Sequence, residues 1–331
     1  MGARPAEIER LVESALGTTV QSAEAATAGR MAATYLLELD SGRDRAVCKV
    51  GGPSIRTGEV VEPLVVRLVG ETTELPVPAV LAAGQFQDTT GTRRHWALYE
   101  FCDGHTPTEF DTLAPAGRRR VLRDVGSALG RLHTSHQFEC TGGLARADGE
   151  SHAGGGVDRQ TRTDDNTDGQ TLTGDNLRIC AHRGLHVPGK GQRVLRRATE
   201  AGSVDPQPVL THGDLFPGNL LVAPDGSVTA LLDWGNAHVT TAGYALGRAE
   251  MRFVDWFRFP ARDRERLRRA LRAGYRAERS LPPDYPRFAP LYKLLWLVQS
   301  GERHLRHTLT SRGRRQLRDH LGSLLSDVTP G

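Results

Sequence analysis

The sequence predicts an α+β fold whose strands lie mostly in the first hundred residues and whose helices lie mostly after residue 115. Three observations carry that expectation. Residues 18 to 50 and 85 to 101 hold short strand-forming runs punctuated by turn residues. Residues 115 to 135 and the stretch after 244 carry apolar side chains at helical spacing. Between them, the short apolar runs Leu220–Val222 and Val228–Leu232 flank Pro224-Asp225-Gly226, which reads as a β-hairpin because Pro and Gly supply the turn angles. At 331 residues the chain is long enough to bury a large core and fill two domains.

Taken in order, residues 5 to 16 predict a helix. Pro5 suits the first turn, Ile8, Leu11, Val12, Ala15 and Leu16 share one face, and Gly17 ends it. Two or three strands follow, among them Thr34–Leu39 and Ala46–Val50, separated by a turn at residues 40–43. A helix is expected over roughly 58 to 70, before Pro76-Val-Pro78, and then the strand pair at 85 to 101. Pro115 opens a second helix, with Val121, Leu122, Val125, Leu129 and Leu132 on one face. His133 near its end reads as structural, since a histidine at a helix C-terminus interacts well with the helix dipole. Residues 142 to 206 are rich in Gly, Asp, Thr, Arg and Gln and show no apolar period, so a flexible loop is expected there. Its histidines His152, His182 and His186 have no standard metal-site spacing. Helices are expected at 244–258, 262–279, 288–310 and 314–325, two of them separated by Pro282, Pro283 and Pro286.

Composition narrows the class. Hydrophobic content of 38% and charged content of 25% fit a soluble globular protein. No run reaches the length of a membrane span and the N-terminus has no apolar signal core, so a cytoplasmic protein without a membrane partner is expected. Cys48, Cys102, Cys140 and Cys180 are scattered with no C-x-x-C pair, which fits free thiols rather than a zinc site. Residues 262–279 alternate Arg with acidic residues and Leu, as on a solvated helix face. With no aromatic platform or groove-reading motif beside them, no nucleic-acid partner is expected. Only three residues are lysine, Lys49, Lys190 and Lys293, so a lone lysine inside a predicted strand stands out.

The polar residues cluster at the mouth of the hairpin. His212, Asp214 and Asn219 precede its first strand and Asp233 follows its second. An antiparallel hairpin brings its open ends together, so Asp214, Asn219 and Asp233 are expected to converge. Two carboxylates and an amide make a hard-oxygen site suited to Mg²⁺ and a phosphorylated ligand. The stretch Asp214-x-x-x-x-Asn219 also has the aspartate-to-asparagine spacing of kinase catalytic loops.

On His212-Gly213-Asp214-x-x-x-x-Asn219 followed by Leu232-Asp233-Trp234-Gly235, the chain resembles the aminoglycoside/choline phosphotransferase family. The resemblance implies a protein-kinase-like two-lobed fold. A small N-terminal antiparallel-sheet lobe would span residues 1–102, and a larger, mainly helical lobe residues 103–331, with the flexible segment 142–206 inside it. It implies Mg²⁺-dependent transfer of the γ-phosphate of ATP or GTP to a hydroxyl of a small molecule. Asp214 would be the catalytic base, His212 a loop organiser, and Asn219 and Asp233 metal ligands. Lys49 would hold the nucleotide phosphates, oriented by Glu62 in preference to Glu59. Gly29 would lie in the nucleotide-covering loop. Adenine would bond to backbone groups of Glu100 and Cys102, with Tyr99 at the back of the pocket.

Three departures accompany the resemblance. Gly29 stands alone where the family has a glycine-rich repeat, the stretch Thr241-Ala-Gly-Tyr-Ala245 lacks an aspartate that supports the catalytic loop, and the helices that help build the acceptor pocket are not recognisable in 142–206. They leave a catalytically impaired nucleotide-binding protein as the alternative. Charge bears on the acceptor: residues 236–331 hold nineteen basic and nine acidic residues. A polycationic aminoglycoside prefers acidic walls, so a neutral or anionic hydroxyl compound is expected.

Overall fold

The computed structural model describes residues 5–26, 33–40, 45–51, 61–107, 109–139, 141–146, 171–172, 177–180, 207–257, 259–283 and 285–307, together with Asp319 and Gly322. Five antiparallel strands form the first sheet, in the spatial order β1 (Val20–Ala25), β2 (Ala33–Leu39), β3 (Arg45–Gly51), β5 (Arg93–Glu100), β4 (Val80–Gln87). Alternation along β3 decides what each face does. Ala46, Cys48 and Val50 are buried in one cluster with Ile8 and Val12 of helix α1 (Pro5–Leu16). Val47 and Lys49 therefore face the other way, toward helix α2 (Glu62–Thr72) and the main core, against which Val47 packs. Helix α2 buries Val65, Val66, Leu68 and Val69 there. It starts at Glu62 rather than near 58, with Pro63 in its first turn, where a missing N–H is no loss. Residues 52–60, including Glu59, lie outside the described residues.

After β5 the chain runs through Glu100–Gly104 and docks on the predicted hairpin, formed by β10 (Leu220–Val222) and β11 (Val228–Leu231). His105 exchanges two backbone hydrogen bonds with Val222, at 3.1 and 3.0 Å, and the Thr229 hydroxyl donates to the Asp103 carbonyl at 3.0 Å. The Leu231 N–H donates to the Pro76 carbonyl at 2.7 Å, so the hairpin is also tied to the segment between α2 and β4.

The helical part is built on α3 (Pro115–Ser135), α4 (Ala242–Glu250), α5 (Ala261–Glu278) and α6 (Tyr285–His307). Helices α3 and α5 approach so closely that a Cβ at Gly126 would lie 2.0 Å from the Leu271 carbonyl oxygen, and one at Gly274 would lie 1.9 Å from that of Arg123. Helix α4 runs on into a π-helical turn, Met251–Asp255, closed by the Trp256 N–H on the Met251 carbonyl. His133 is fully buried and pairs through Nδ1 with the Tyr275 hydroxyl at 3.0 Å. Burial, with Arg279 nearby, pushes its pKa down to about 3. The expected dipole contact needs an imidazolium, so packing and one hydrogen bond hold this histidine instead.

A second five-stranded sheet has the order β7 (Thr171–Leu172), β8 (Leu177–Cys180), β6 (Gly142–Arg146), β12 (His238–Thr241), β9 (Pro208–Thr211). Its first three strands fall inside 142–206, which corrects the expectation of a loop without regular structure at those residues. Main-chain pairing of β6 with β12 and β8 needs no apolar period, and Leu144 and Leu177 supply the buried side chains. The rest of that segment, with His152, His182 and His186, lies outside the described residues, as do Gly29 and nearly all of 314–325. Among the described residues, no helix is long and apolar enough to cross a membrane.

Candidate active site

Strand β9 delivers His212, Gly213 and Asp214 into a loop packed against the residues that follow β11. Gly213 has φ +76°, and a Cβ there would lie 1.7 Å from the Asn236 carbonyl oxygen, so only glycine fits. His212 is buried and packs against the buried Trp234, ring centroids 4.5 Å apart and planes tilted by 41°. Burial pushes its pKa down to about 4, against the pull of Asp214 and Asp233, so the ring is neutral at neutral pH. Its Nε2–H donates to the Leu232 carbonyl at 2.9 Å and its Nδ1 accepts the Asp214 N–H at 3.3 Å. The imidazole thus ties the loop before the hairpin to the strand end after it.

The hairpin register brings Asn219 beside the Leu232–Asp233 end. Leu220 pairs with Leu231, and the Leu232 N–H donates to the Asn219 carbonyl at 2.9 Å. The Asn219 side-chain NH₂ donates to the Asp214 carbonyl at 2.8 Å, which leaves its amide oxygen for a ligand. Asp233 has φ 65° and ψ 65°, a left-handed conformation uncommon outside glycine that aspartate tolerates. Its carboxylate is half-exposed and accepts from Lys49 Nζ at 3.1 Å.

Lys49 also donates to Glu62 at 2.7 Å, so its ammonium lies between two carboxylates. Burial opposes that charge, but Glu62 and Asp233 outweigh it and hold the ammonium above its ordinary range. Burial pushes the Glu62 carboxyl up, and Lys49 and a hydrogen bond from the Trp234 backbone N–H pull it back. Tyr99 is buried behind this pair, with Lys49 Nζ 5.9 Å from its ring centroid. Along the connection after β5, the Glu100 N–H is spent on the Ala79 carbonyl at 2.9 Å. The Glu100 carbonyl, at the end of the interior strand β5, takes only a long contact from the Cys102 thiol at 4.0 Å, and Cys102 is partly exposed.

Asp214 has partners that sequence reasoning missed. Its Oδ1 accepts from Arg248 at 3.2 Å and from Arg252 at 3.5 Å. Both arginines sit in a C-terminal stretch where eighteen of the residues from 236 on are arginine, so nothing in the sequence singled them out. The loop support expected from the missing aspartate comes instead from β12. His238 pairs with Thr211 across the sheet, and its Nδ1–H donates to the Asn236 carbonyl at 2.8 Å.

No three His, Cys, Asp or Glu side chains among the described residues form a metal cage by themselves. The carboxylate of Asp233 and the amide oxygen of Asn219 are hard oxygen donors at one hairpin mouth. That pair fits Mg²⁺, an ion that keeps waters and takes phosphate oxygens beside one or two protein ligands.

Residues 22–291 match the phosphotransferase enzyme family known as APH. The chain belongs to that family of phosphotransferases, and its fold is protein-kinase-like. No curated protein matches the sequence. Among solved structures, it is similar to amicoumacin kinase hAmiN in complex with AMP-PNP, Ca²⁺ and Ami, at 15% identity and TM-score 0.61, over 99% of this chain and 96% of that one. It is also similar to the microcompartment-associated aminopropanol kinase, at 18% identity and TM-score 0.59, over 98% and 99% of the two chains. A GDP and kanamycin complex of APH(2")-IIia is similar at 14% identity and TM-score 0.53, over 97% and 98%. Identities this low carry the fold and nothing finer.

Proposed function

We propose that the protein transfers the γ-phosphoryl group of ATP or GTP to a hydroxyl of a small molecule, with Mg²⁺ as cofactor. The observation that carries this reading is the ammonium of Lys49 held between Glu62 and Asp233, with Asn219 at the same hairpin mouth. Phosphoryl transfer needs positioning and charge neutralisation more than covalent chemistry. Lys49, oriented by Glu62, neutralises the nucleotide phosphates. Asn219 and Asp233 would hold Mg²⁺, which supplies further neutralisation of phosphate charge when bound. Asp214 orients the acceptor hydroxyl and takes its proton, while the neutral His212 fixes the loop that carries it. Glu100 and Cys102 would present backbone groups to the base, with the boundary between the two lobes at residues 102/103. Neighbouring structures that contain AMP-PNP or GDP support a nucleotide donor. The alternative, an impaired nucleotide binder, is not favoured, since the residues for phosphate and proton chemistry are assembled around one mouth.

The test is calorimetric titration of ATP and of GTP with Mg²⁺ and with excess chelator, followed by a screen of hydroxyl acceptors for nucleoside diphosphate release. Nucleotide affinity should fall at least tenfold in chelator, because Asp233 alone repels phosphate. Equal affinity in both conditions would remove the metal from the mechanism.

A further inference from the structure

Two guanidiniums meet one carboxylate at the acceptor end of the site. Arg248, from α4, and Arg252, from the π-helical turn, stand four residues apart and both reach Asp214 Oδ1. Neighbouring charges do not cancel the excess. Glu250 is fully buried and spent on Arg272 and Lys293, each at 2.7 Å. Asp255 is spent on Lys293 at 2.8 Å and on Arg268. His212 and His238 are held neutral, each pushed down to about 4 by burial. Asp214 with Arg248 and Arg252 therefore keeps one positive charge over, beside the Lys49, Glu62 and Asp233 group on the nucleotide side, which keeps one negative charge over.

The arginines are also fixed in place. The Arg252 guanidinium lies 4.1 Å from the Phe216 ring centroid and 5.6 Å from that of Trp296. Phe216 follows Asp214 by two residues, so the catalytic loop itself carries one wall of this stack. The ion pairs of Glu250 and Asp255 anchor the two ends of the π-helical turn to α5 and α6 on either side of Arg252. The Nε atoms of both arginines are buried without a hydrogen-bond partner, so their terminal nitrogens carry the polar contacts of the pair. Side-chain exposures of 19% for Arg248 and 15% for Arg252 leave part of each reachable from outside. A rigid pair of forked donors suits a carboxylate or phosphate, and it repels an ammonium.

We propose that Arg248 and Arg252 form an anion subsite for the acceptor, which is a hydroxyl compound bearing a carboxylate or phosphate close to the reacting hydroxyl. This rests on the phosphotransferase reading above and narrows its substrate class. The acceptor's hydroxyl oxygen forms a bond to the γ-phosphorus and the bond from that phosphorus to the bridging oxygen breaks. The nucleoside diphosphate leaves with the electron pair, and the hydroxyl proton passes to Asp214.

The experiment is calorimetric titration of the protein, loaded with Mg²⁺ and a non-hydrolysable ATP or GTP analogue, with four small hydroxyl probes. Glycerate is the carboxylate arm, glycerol 3-phosphate the phosphate arm, glycerol the neutral control and ethanolamine the cationic one. At least one anionic probe should bind tenfold or more tighter than glycerol, with ethanolamine the weakest. Which anion binds better separates the two sources of charge. Arg252→Gln and Arg248→Gln should each erase that preference at unchanged nucleotide affinity, and Arg252→Lys, which keeps the charge but not the fork, should lose part of it. Equal or tighter binding of ethanolamine overturns the proposal, as does an anion preference that survives both substitutions, or no binding by any probe to the nucleotide-loaded protein. Failure to take up nucleotide at all overturns the phosphotransferase reading first and the subsite with it.

Discussion

The ammonium of Lys49 lies 3.1 Å from the carboxylate of Asp233, a residue 184 positions further along the chain. One belongs to the first sheet and the other follows the hairpin of the second half, so this contact joins the two halves of the molecule at the candidate phosphate site. Glu62 grips the same ammonium from α2 and also takes the Trp234 backbone N–H. Three segments of the chain, at Lys49, at Glu62 and at Asp233–Trp234, thereby meet at one charge.

Lys49→Met should weaken nucleotide binding at least tenfold. It should also destabilise the fold by about 3 kcal/mol, because it leaves the buried Glu62 carboxylate without its cation. Adding Glu62→Gln should restore much of the stability but none of the affinity. Urea unfolding and nucleotide titration of the single and double variants separate the two effects. Equal stability of wild type and Lys49→Met would show that Glu62 does not depend on this pair.

The two aspartates of the hairpin mouth should fail differently. Asp214→Asn should keep Mg²⁺-dependent nucleotide binding while turnover drops on the order of a hundredfold or more, the scale of lost general-base positioning. Asp233→Asn should weaken that binding itself, since an amide lacks the charge a divalent ion needs. Nucleotide affinity measured against Mg²⁺ concentration for both variants decides it. The opposite pattern would exchange the roles.

Gly213→Ala should destabilise the protein by on the order of 2–4 kcal/mol, combining a strained positive φ with a clash against the Asn236 carbonyl. Because this glycine sets the loop that carries Asp214, turnover should fall even in the folded fraction. Thermal melts and activity per folded molecule check this. A wild-type melting temperature would mean that the loop has room to move.

Stability should fall in mild acid. His133 and His212 have folded pKa values near 3 and 4 against an ordinary 6.5, with burial the leading cause for both. Between those limits the unfolded chain binds protons that the folded one refuses. Their contribution is therefore complete above about pH 6.5 and shrinks as pH falls toward the folded values. Each histidine accounts for at most about 1.4 kcal/mol per pH unit, so at pH 5 the pair costs on the order of 3 kcal/mol. Urea midpoints at pH 7.5 and 5.0 measure the drop, and His133→Asn should remove part of it. An unchanged midpoint for wild type would mean that both imidazoles charge freely in the folded state.

Much of the fold was legible from local chemistry. Pro5 and Gly17 bracket α1, Pro115 opens α3, and Pro224-Asp225-Gly226 turns the hairpin, because turn angles and helix ends are set by the residues at those positions. Lys49 stood out from its strand context and its pairing with Glu62 was implied by the family resemblance; the structure brings their charges together at 2.7 Å. Pairing of distant strands was not legible. Strand β6 exists because β12 offers main-chain partners, and a Gly-rich stretch gives no side-chain signal of that. The structural role of His133 was readable from its place in the helix, but its burial against Tyr275, from another helix, was not.

What the sequence by itself determined is the hairpin with its polar mouth, the Asp214–Asn219 spacing and the lysine in β3. These follow from turn chemistry, strand alternation and spacing along one continuous segment. What only the tertiary structure decided is the company those groups keep: Asp233 against Lys49, a neutral His212 clamped to Leu232, and Asp214 under Arg248 and Arg252. Charge state and charge pairing depend on burial and on neighbours from other elements. In an arginine-rich chain, spacing alone cannot say which two of many guanidiniums will face one carboxylate.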